Sequence, residues 1–245
     1  MTLIPGSAAG AKVCVGLPPA GRAAFMSRFL GLDEHVDRVI LTPLSTFRSN
    51  LSDSEPAPSI WPSGLVRGVP MVQGPQGRAI VDAIFNLPAG CEVIFLGIAG
   101  GLRPPAAEGE WVCVDRAWNG PQAHDRSLQP PPELDLVTGA TVGSLTESWL
   151  ATPSLARQAH VVDMETSHIY EVATRCGVRA LSLLLVSDQP PARPFWDTDL
   201  GALVPRIAPV LHILDGWLAD GRQAVPTPAR RNLARGTDEA THAQR

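Results

Sequence analysis

His160-Val-Val-Asp-Met-Glu-Thr-Ser-His-Ile-Tyr170 joins two kinds of hydrophobic pattern. The run from His160 to Val162 is short and apolar, as in a buried strand, whereas Ile169, Val172 and Cys176 recur at helical spacing. Asp163, Met164 and Glu165 therefore sit where a strand hands over to a helix. In α/β sheets the crevice beyond the carboxyl ends of the strands is where ligands bind, so Glu165 is a candidate site residue. The alternative is a solvated carboxylate favoured by the positive end of the helix dipole.

Working outward, the next apolar run, Ala180 to Val186, ends in Ser187-Asp188-Gln189-Pro190 and puts a second carboxylate at a strand end. Taken alone, Asp188 also suits a turn that starts before Pro190. Upstream, Glu92 to Ile98 is nearly continuous in Val, Ile, Phe and Leu, as expected of a central strand covered on both faces. It runs into Gly97-Ile-Ala-Gly-Gly-Leu102, read as a glycine turn where backbone can approach a ligand closely.

The remaining chain continues the alternation. Strands are predicted over 12–16, 39–41, 69–73, 111–115 and 137–145, and helices up to about Leu32, over 78–87 and over 200–218. Residues 42–64 read as a loop with one short strand, and 119–132 as a polar, proline-rich loop. The expected architecture is a single α/β domain over 1–221, a central mixed β-sheet flanked by helices, followed by a flexible tail over 222–245.

Composition narrows the chemistry. With 44% hydrophobic and 18% charged residues and a net charge of −4, the chain is that of a soluble globular protein with no call for nucleic acid or membrane. Lys12 is the only lysine, and no P-loop surrounds it. Cys14, Cys91, Cys113 and Cys176 lie far apart without zinc-ligand spacing, so no metal is expected and a reducing, cytoplasmic location is. His160 and His168 read as structural, and His124 as a loop residue able to touch a substrate.

Three pieces in order, Gly97-Ile-Ala-Gly-Gly-Leu102, Val162-Asp-Met-Glu165 and Val186-Ser-Asp188, resemble the superfamily of purine nucleoside phosphorylases, uridine phosphorylases and methylthioadenosine nucleosidases, over about residues 12–218. The resemblance implies cleavage of the N-glycosidic bond of a purine nucleoside or 5′-modified adenosine. It makes Asp188 the acid that protonates the departing base at N7, and Glu165 the carboxylate that holds the ribose hydroxyls. Met164 packs beneath the sugar and Asp163 stands beside it. Gly97, Ala99, Gly100 and Gly101 floor the pocket, and Ser148 and Trp149 fall near the base, Trp149 either stacking on it or packing in the core. Chemistry agrees with the division: a bond that breaks toward an oxocarbenium ion needs a general acid at the base and polar anchoring at the sugar.

The departures concern the nucleophile. Where phosphorolytic relatives carry an arginine and a serine for phosphate, Phe95 and Ile98 stand; where hydrolytic relatives carry a water-activating glutamate, Pro18-Pro19-Ala20 stands. Arg22 resembles a phosphate-binding arginine, and Arg48 is a candidate to serve from a neighbouring subunit, so inorganic phosphate is a possible co-substrate. No other cofactor is implied. Relatives assemble as dimers up to hexamers, which makes a homo-oligomer the expectation. The rival expectation is a nucleoside- or base-binding protein on the same scaffold without catalysis.

Overall fold

A computed structural model describes residues 17–54, 59–190, 192 and 195–219. The strand expected over 12–16 and the tail over 222–245 lie outside the described residues.

The centre is β4 (Glu92–Gly101), whose alternate side chains supply two different cores. Val93 and Phe95 face one hydrophobic cluster, Ile94 and Leu96 the other, and all four are fully buried. A strand buried on both faces has no polar side to show, hence its continuous apolar run. Its neighbours β1 (Arg38–Thr42) and β9 (Arg179–Asp188) run parallel to it on either side. Register is pinned at their first residues: Glu92 stands between its strand partners Arg38 and Arg179 and bonds them at 2.8 and 2.6 Å.

The sheet then closes on itself. β9 pairs with β5 (Trp111–Asn119), β5 with β7 (Asp135–Thr141), β7 with β8 (Val161–Asp163), and β8 returns to the end of β4 through Gly100 and Gly101. From β4 and β1 the sheet extends through β3 (Val69–Gln73) to β2 (Ser63–Val66), and from β5 to β6 (Gln122–Asp125). The result is the expected mixed sheet flanked by helices.

Closure explains the glycines. Residues 97–101 are not a turn but the last half of β4, which passes from β9 to β8 with an irregularity at Ala99/Gly100. A Cβ on Gly100 would stand 2.7 Å from the Pro190 ring, and one on Gly101 would stand 2.7 Å from the Ala106 carbonyl oxygen. Both approaches are closer than a side chain tolerates, so the strand can cross here only as glycine.

Helices cover both faces. On one lie α1 (Pro19–Phe25), continuing into a wider π-helical turn at Met26–Leu30, then α3 (Val81–Ile84) and α5 (Thr166–Cys176). On the other lie α2 (Ser45–Leu51), α6 (Val204–Ile207) and α7 (Val210–Ala219). Each fully buried Leu or Ile contributes about 1.5–3 kcal/mol. The α5 helix ends at Gly177 in the left-handed conformation, and its Tyr170 hydroxyl ties two strands, donating to the Val114 carbonyl at 2.6 Å and accepting from the Ser182 N–H at 3.0 Å.

Several local expectations change. Residues 45–51 form α2, held by Phe47 and Leu51 one turn apart in the core. Residues 119–132 contain a hairpin, β5 turning through Gly120 into β6. The strand expected to reach Leu145 stops at Thr141, because Leu145 opens a helix, α4 (Leu145–Leu155). The helix expected over 78–87 is a 3-10 turn, Gly77–Ile80, and one turn of α-helix, although Ile80, Val81, Ile84 and Leu87 are buried as its pattern requires. The last helix is interrupted before Pro209, which has no N–H to continue the ladder. Among the described residues no helix is long and apolar enough to cross a membrane.

Candidate active site

Strand ends converge on a cavity of about 280 Å³. Pro43 and Leu44 follow β1, Gln76 follows β3, Ile98 to Gly100 belong to β4, Val142 follows β7, Val162 to Glu165 close β8, and Ser187 and Asp188 end β9. Leu145, Ser148 and Phe195 complete the wall. The lining is mostly apolar, with Asp163, Glu165 and Asp188 as its charged groups, only 5%, 6% and 2% exposed. The two carboxylates marked by strand ends in the sequence are thus brought to one space, 23 residues apart in the chain.

The three carboxylates have different neighbours. Asp163 accepts the Thr141 hydroxyl on Oδ1 at 2.8 Å, and on Oδ2 the Thr166 N–H at 2.8 Å and the Thr166 hydroxyl. Burial pushes its pKa up, and those hydrogen bonds act against the rise. It fastens β7 to the first turn of α5, and both its oxygens are taken by the protein. Asp163 thus borders the cavity, as the resemblance implies, with both oxygens bonded to the frame. It also relieves Glu165 of capping α5.

Glu165 reaches across the chain instead. Its Oε1 accepts the Gly77 N–H at 2.6 Å, from a residue with φ of 68°. That left-handed turn follows β3 and aims an N–H into the site. The Met164 methyl lies under it, 3.7 Å from where a Gly77 Cβ would be. Burial first, and then the neighbouring Asp163 charge, push the Glu165 carboxyl up to about 7, against the pull of backbone N–H groups.

Asp188 is held by its neighbour. The Ser187 hydroxyl stands 2.6 Å from Asp188 Oδ1 and 3.3 Å from the Ala99 carbonyl oxygen. One hydroxyl has one proton and cannot donate to both acceptors at once. The shorter contact takes it, so Ser187 donates to Asp188 Oδ1.

The structure does not bring every expected residue to the cavity. Gly97 faces inward, where a Cβ would stand 2.8 Å from the Phe95 ring, so it makes room in the core and leaves the floor to Ile98, Ala99 and Gly100. Gly101 packs against the Ala106 carbonyl. Trp149 follows Ser148 on α4, about 100° further round the helix, and is turned out of the cavity, 37% exposed and edge-on to Trp196 at 5.8 Å. Phe195 supplies the aromatic wall. Arg22 lies exposed on α1, and Arg48 on α2 donates to Gln73 Oε1 at 3.0 Å; neither borders the cavity. His124 lies on β6, and the Thr138 N–H donates to His160 Nδ1 at 3.1 Å, outside the site.

Ser187 and Phe195 were missed. Ser187 had a signal, a polar residue beside a carboxylate at a strand end; Phe195 had none. Among the described residues no cluster of His, Cys, Asp and Glu is arranged to hold a metal.

The 5′-methylthioadenosine/S-adenosylhomocysteine nucleosidase of Campylobacter jejuni matches this fold with a TM-score of 0.59 and 12% identity, covering 76% of this chain and 99% of that one. The corresponding nucleosidase of Streptococcus pneumoniae, solved with a transition-state inhibitor, matches at 0.55 with 18% identity over 72% and 97%. The chain has the nucleoside phosphorylase and nucleosidase fold. The futalosine hydrolase of Helicobacter pylori shares this fold at a TM-score of 0.56 and 14% identity, over 76% of this chain and 98% of that one. No protein-family model and no curated protein matches the sequence.

Proposed function

We propose that the chain is a nucleosidase that hydrolyses the N-glycosidic bond of a purine nucleoside or 5′-modified adenosine. One observation carries the choice of water over phosphate: the charged side chains lining the cavity are three carboxylates, and no arginine, lysine or histidine stands among the described lining residues. A phosphate dianion would meet like charge in a poorly hydrated space with no cation among the described lining residues to clamp it, whereas water meets no such penalty. Ile98, where phosphorolytic relatives have a phosphate serine, adds an apolar face.

In this reading Asp188 enters protonated. As the bond to the sugar stretches, negative charge gathers on the purine, and proton transfer from Asp188 to N7 lets the base leave neutral. Glu165 receives the ribose hydroxyls, and Met164 packs against the sugar. Phe195, Val142 and Ile98 give the base an apolar enclosure that strengthens each of these contacts. Solved proteins of this fold described as nucleosidases, one of them holding 5′-methylthioadenosine in its active site, support the substrate class.

The test is a panel of nucleosides incubated with and without phosphate, read by chromatography for free base, free sugar and sugar phosphate. Free sugar at a rate independent of phosphate is expected. Sugar phosphate, or binding of adenine with no turnover of any nucleoside, would overturn the reading.

A further inference from the structure

Hydrolysis leaves one proton to be taken from the attacking water, and the sequence limits what can take it. Residues 1–32 contain no aspartate or glutamate, so the segment that precedes and includes α1 supplies no carboxylate wherever it lies. Three carboxylates border the cavity. Both oxygens of Asp163 accept from Thr141 and Thr166. Asp188, beside Ser187, is assigned to the leaving base. Glu165 remains. Its partners are backbone N–H groups, Gly77 at 2.6 Å and Met164, and among the described residues no side chain is hydrogen-bonded or ion-paired to it.

We infer that Glu165, besides holding the sugar, is the base that receives the proton of the attacking water; this rests on the hydrolytic reading above. The step balances. The C1′–N9 bond breaks and its electron pair leaves with the purine, which takes the Asp188 proton at N7. The water oxygen bonds to C1′ and its proton passes to Glu165. The turnover ends with Asp188 ionised and Glu165 protonated, and exchange with solvent resets both. The groups around Glu165 fit this cycle: Asp163 on β8 and Asp188 on β9 are acidic, while His168 on α5 and Arg78 beside Gly77 influence each other and form no bond to it. Burial and Asp163 hold the carboxyl near 7, so it can accept and release a proton at neutral pH.

The test compares wild-type protein with Glu165→Gln, Glu165→Asp and Asp188→Asn, using adenosine and 5′-methylthioadenosine and reading adenine release from pH 5 to 9. Gln keeps an oxygen for the Gly77 N–H and for a hydroxyl but cannot hold the proton. Its kcat is expected to fall about 10²–10⁴-fold with KM little changed. The acid limb near pH 7 in the wild-type kcat profile should vanish in Glu165→Gln and persist at reduced rate in Glu165→Asp. A Gln variant that keeps kcat and raises KM would make Glu165 a sugar anchor alone and overturn the inference, while loss of activity in Asp188→Asn would leave the hydrolytic reading standing. A wild-type kcat flat across pH 7 overturns it as well, and needs no variant to fold. Absence of base release by wild-type protein from either nucleoside overturns the inference together with the reading it rests on.

Discussion

The two ends of the central strands handle charge in opposite ways. Where β1, β4 and β9 begin, Glu92 lies between two arginines, its two oxygens each bonded to one of them, and the three side chains are 13%, 21% and 34% exposed. Where β4 and β9 finish, three carboxylates surround a cavity with no cation among the described lining residues. The first arrangement compensates charge and fixes strand register. The second sets no such cation beside Asp163 and Glu165 among the described lining residues, and burial pushes both of their carboxyls up. A buried carboxylate with no counter-charge beside it lowers stability.

The largest effect expected from the comparison is at the cavity end. Asp188→Asn should lower kcat/KM by about 10²–10⁴-fold, the usual worth of a positioned general acid, with an unaltered far-ultraviolet circular dichroism spectrum. Unchanged turnover would remove Asp188 from the reaction. At the compensated end, Glu92→Ala should cost about 3 kcal/mol in denaturant unfolding, because two mostly buried guanidinium groups lose the carboxylate they share. A loss below about 1 kcal/mol would mean that the pair behaves as a surface one.

Glu165→Gln tests the comparison through stability. The Glu165 carboxyl titrates near 7 in the fold against an ordinary 4.5, so the folded state binds its proton more tightly than the unfolded chain does. That contribution is whole below the ordinary value and is lost as pH rises through about 7. The Gln variant should therefore unfold with wild-type stability near about pH 4 and be more stable by roughly 3 kcal/mol above about pH 8. An equal difference at both pH values would mean that the charge of Glu165 is compensated after all. The smallest effect is predicted for Trp149→Ala, whose side chain is turned out of the cavity toward Trp196: kcat/KM should change by less than about twofold, within the roughly 0.5 kcal/mol usual for surface substitutions. A tenfold loss would return Trp149 to the site.

Much of the frame was legible locally. Strand β3 was read with its observed ends, and β4, β8 and β9 were found with their ends shifted, because a buried strand writes its apolar run directly into the chain. Two misreadings had signals available. Ser144-Leu-Thr-Glu147 is a capping pattern: Ser144 Oγ accepts the Glu147 N–H at 3.1 Å while Glu147 accepts the Gly143 N–H at 2.7 Å, and it starts the helix that places Ser148. Asn119-Gly120 is a hairpin turn signal between β5 and β6. The glycine run was different in kind. Five residues that suit a turn form a strand because β8, Pro190 and Ala106 crowd them, and none of those neighbours is adjacent in sequence.

By itself, the sequence determined that this is an alternating α/β chain and that carboxylates end two of its strands, and the resemblance of its motifs added the expectation of a nucleoside site. Periodicity and residue type are properties of a few neighbouring residues, so they survive without a fold. Only the tertiary structure decided how each carboxylate is held. Asp163 and Glu165 are two residues apart, yet one is occupied by Thr141 and Thr166, and the other is met by an N–H 88 residues away and faces the cavity. Hydrogen-bond partners and the dielectric around a charge come from distant parts of the chain, and at this junction they give two near-neighbour carboxylates different surroundings.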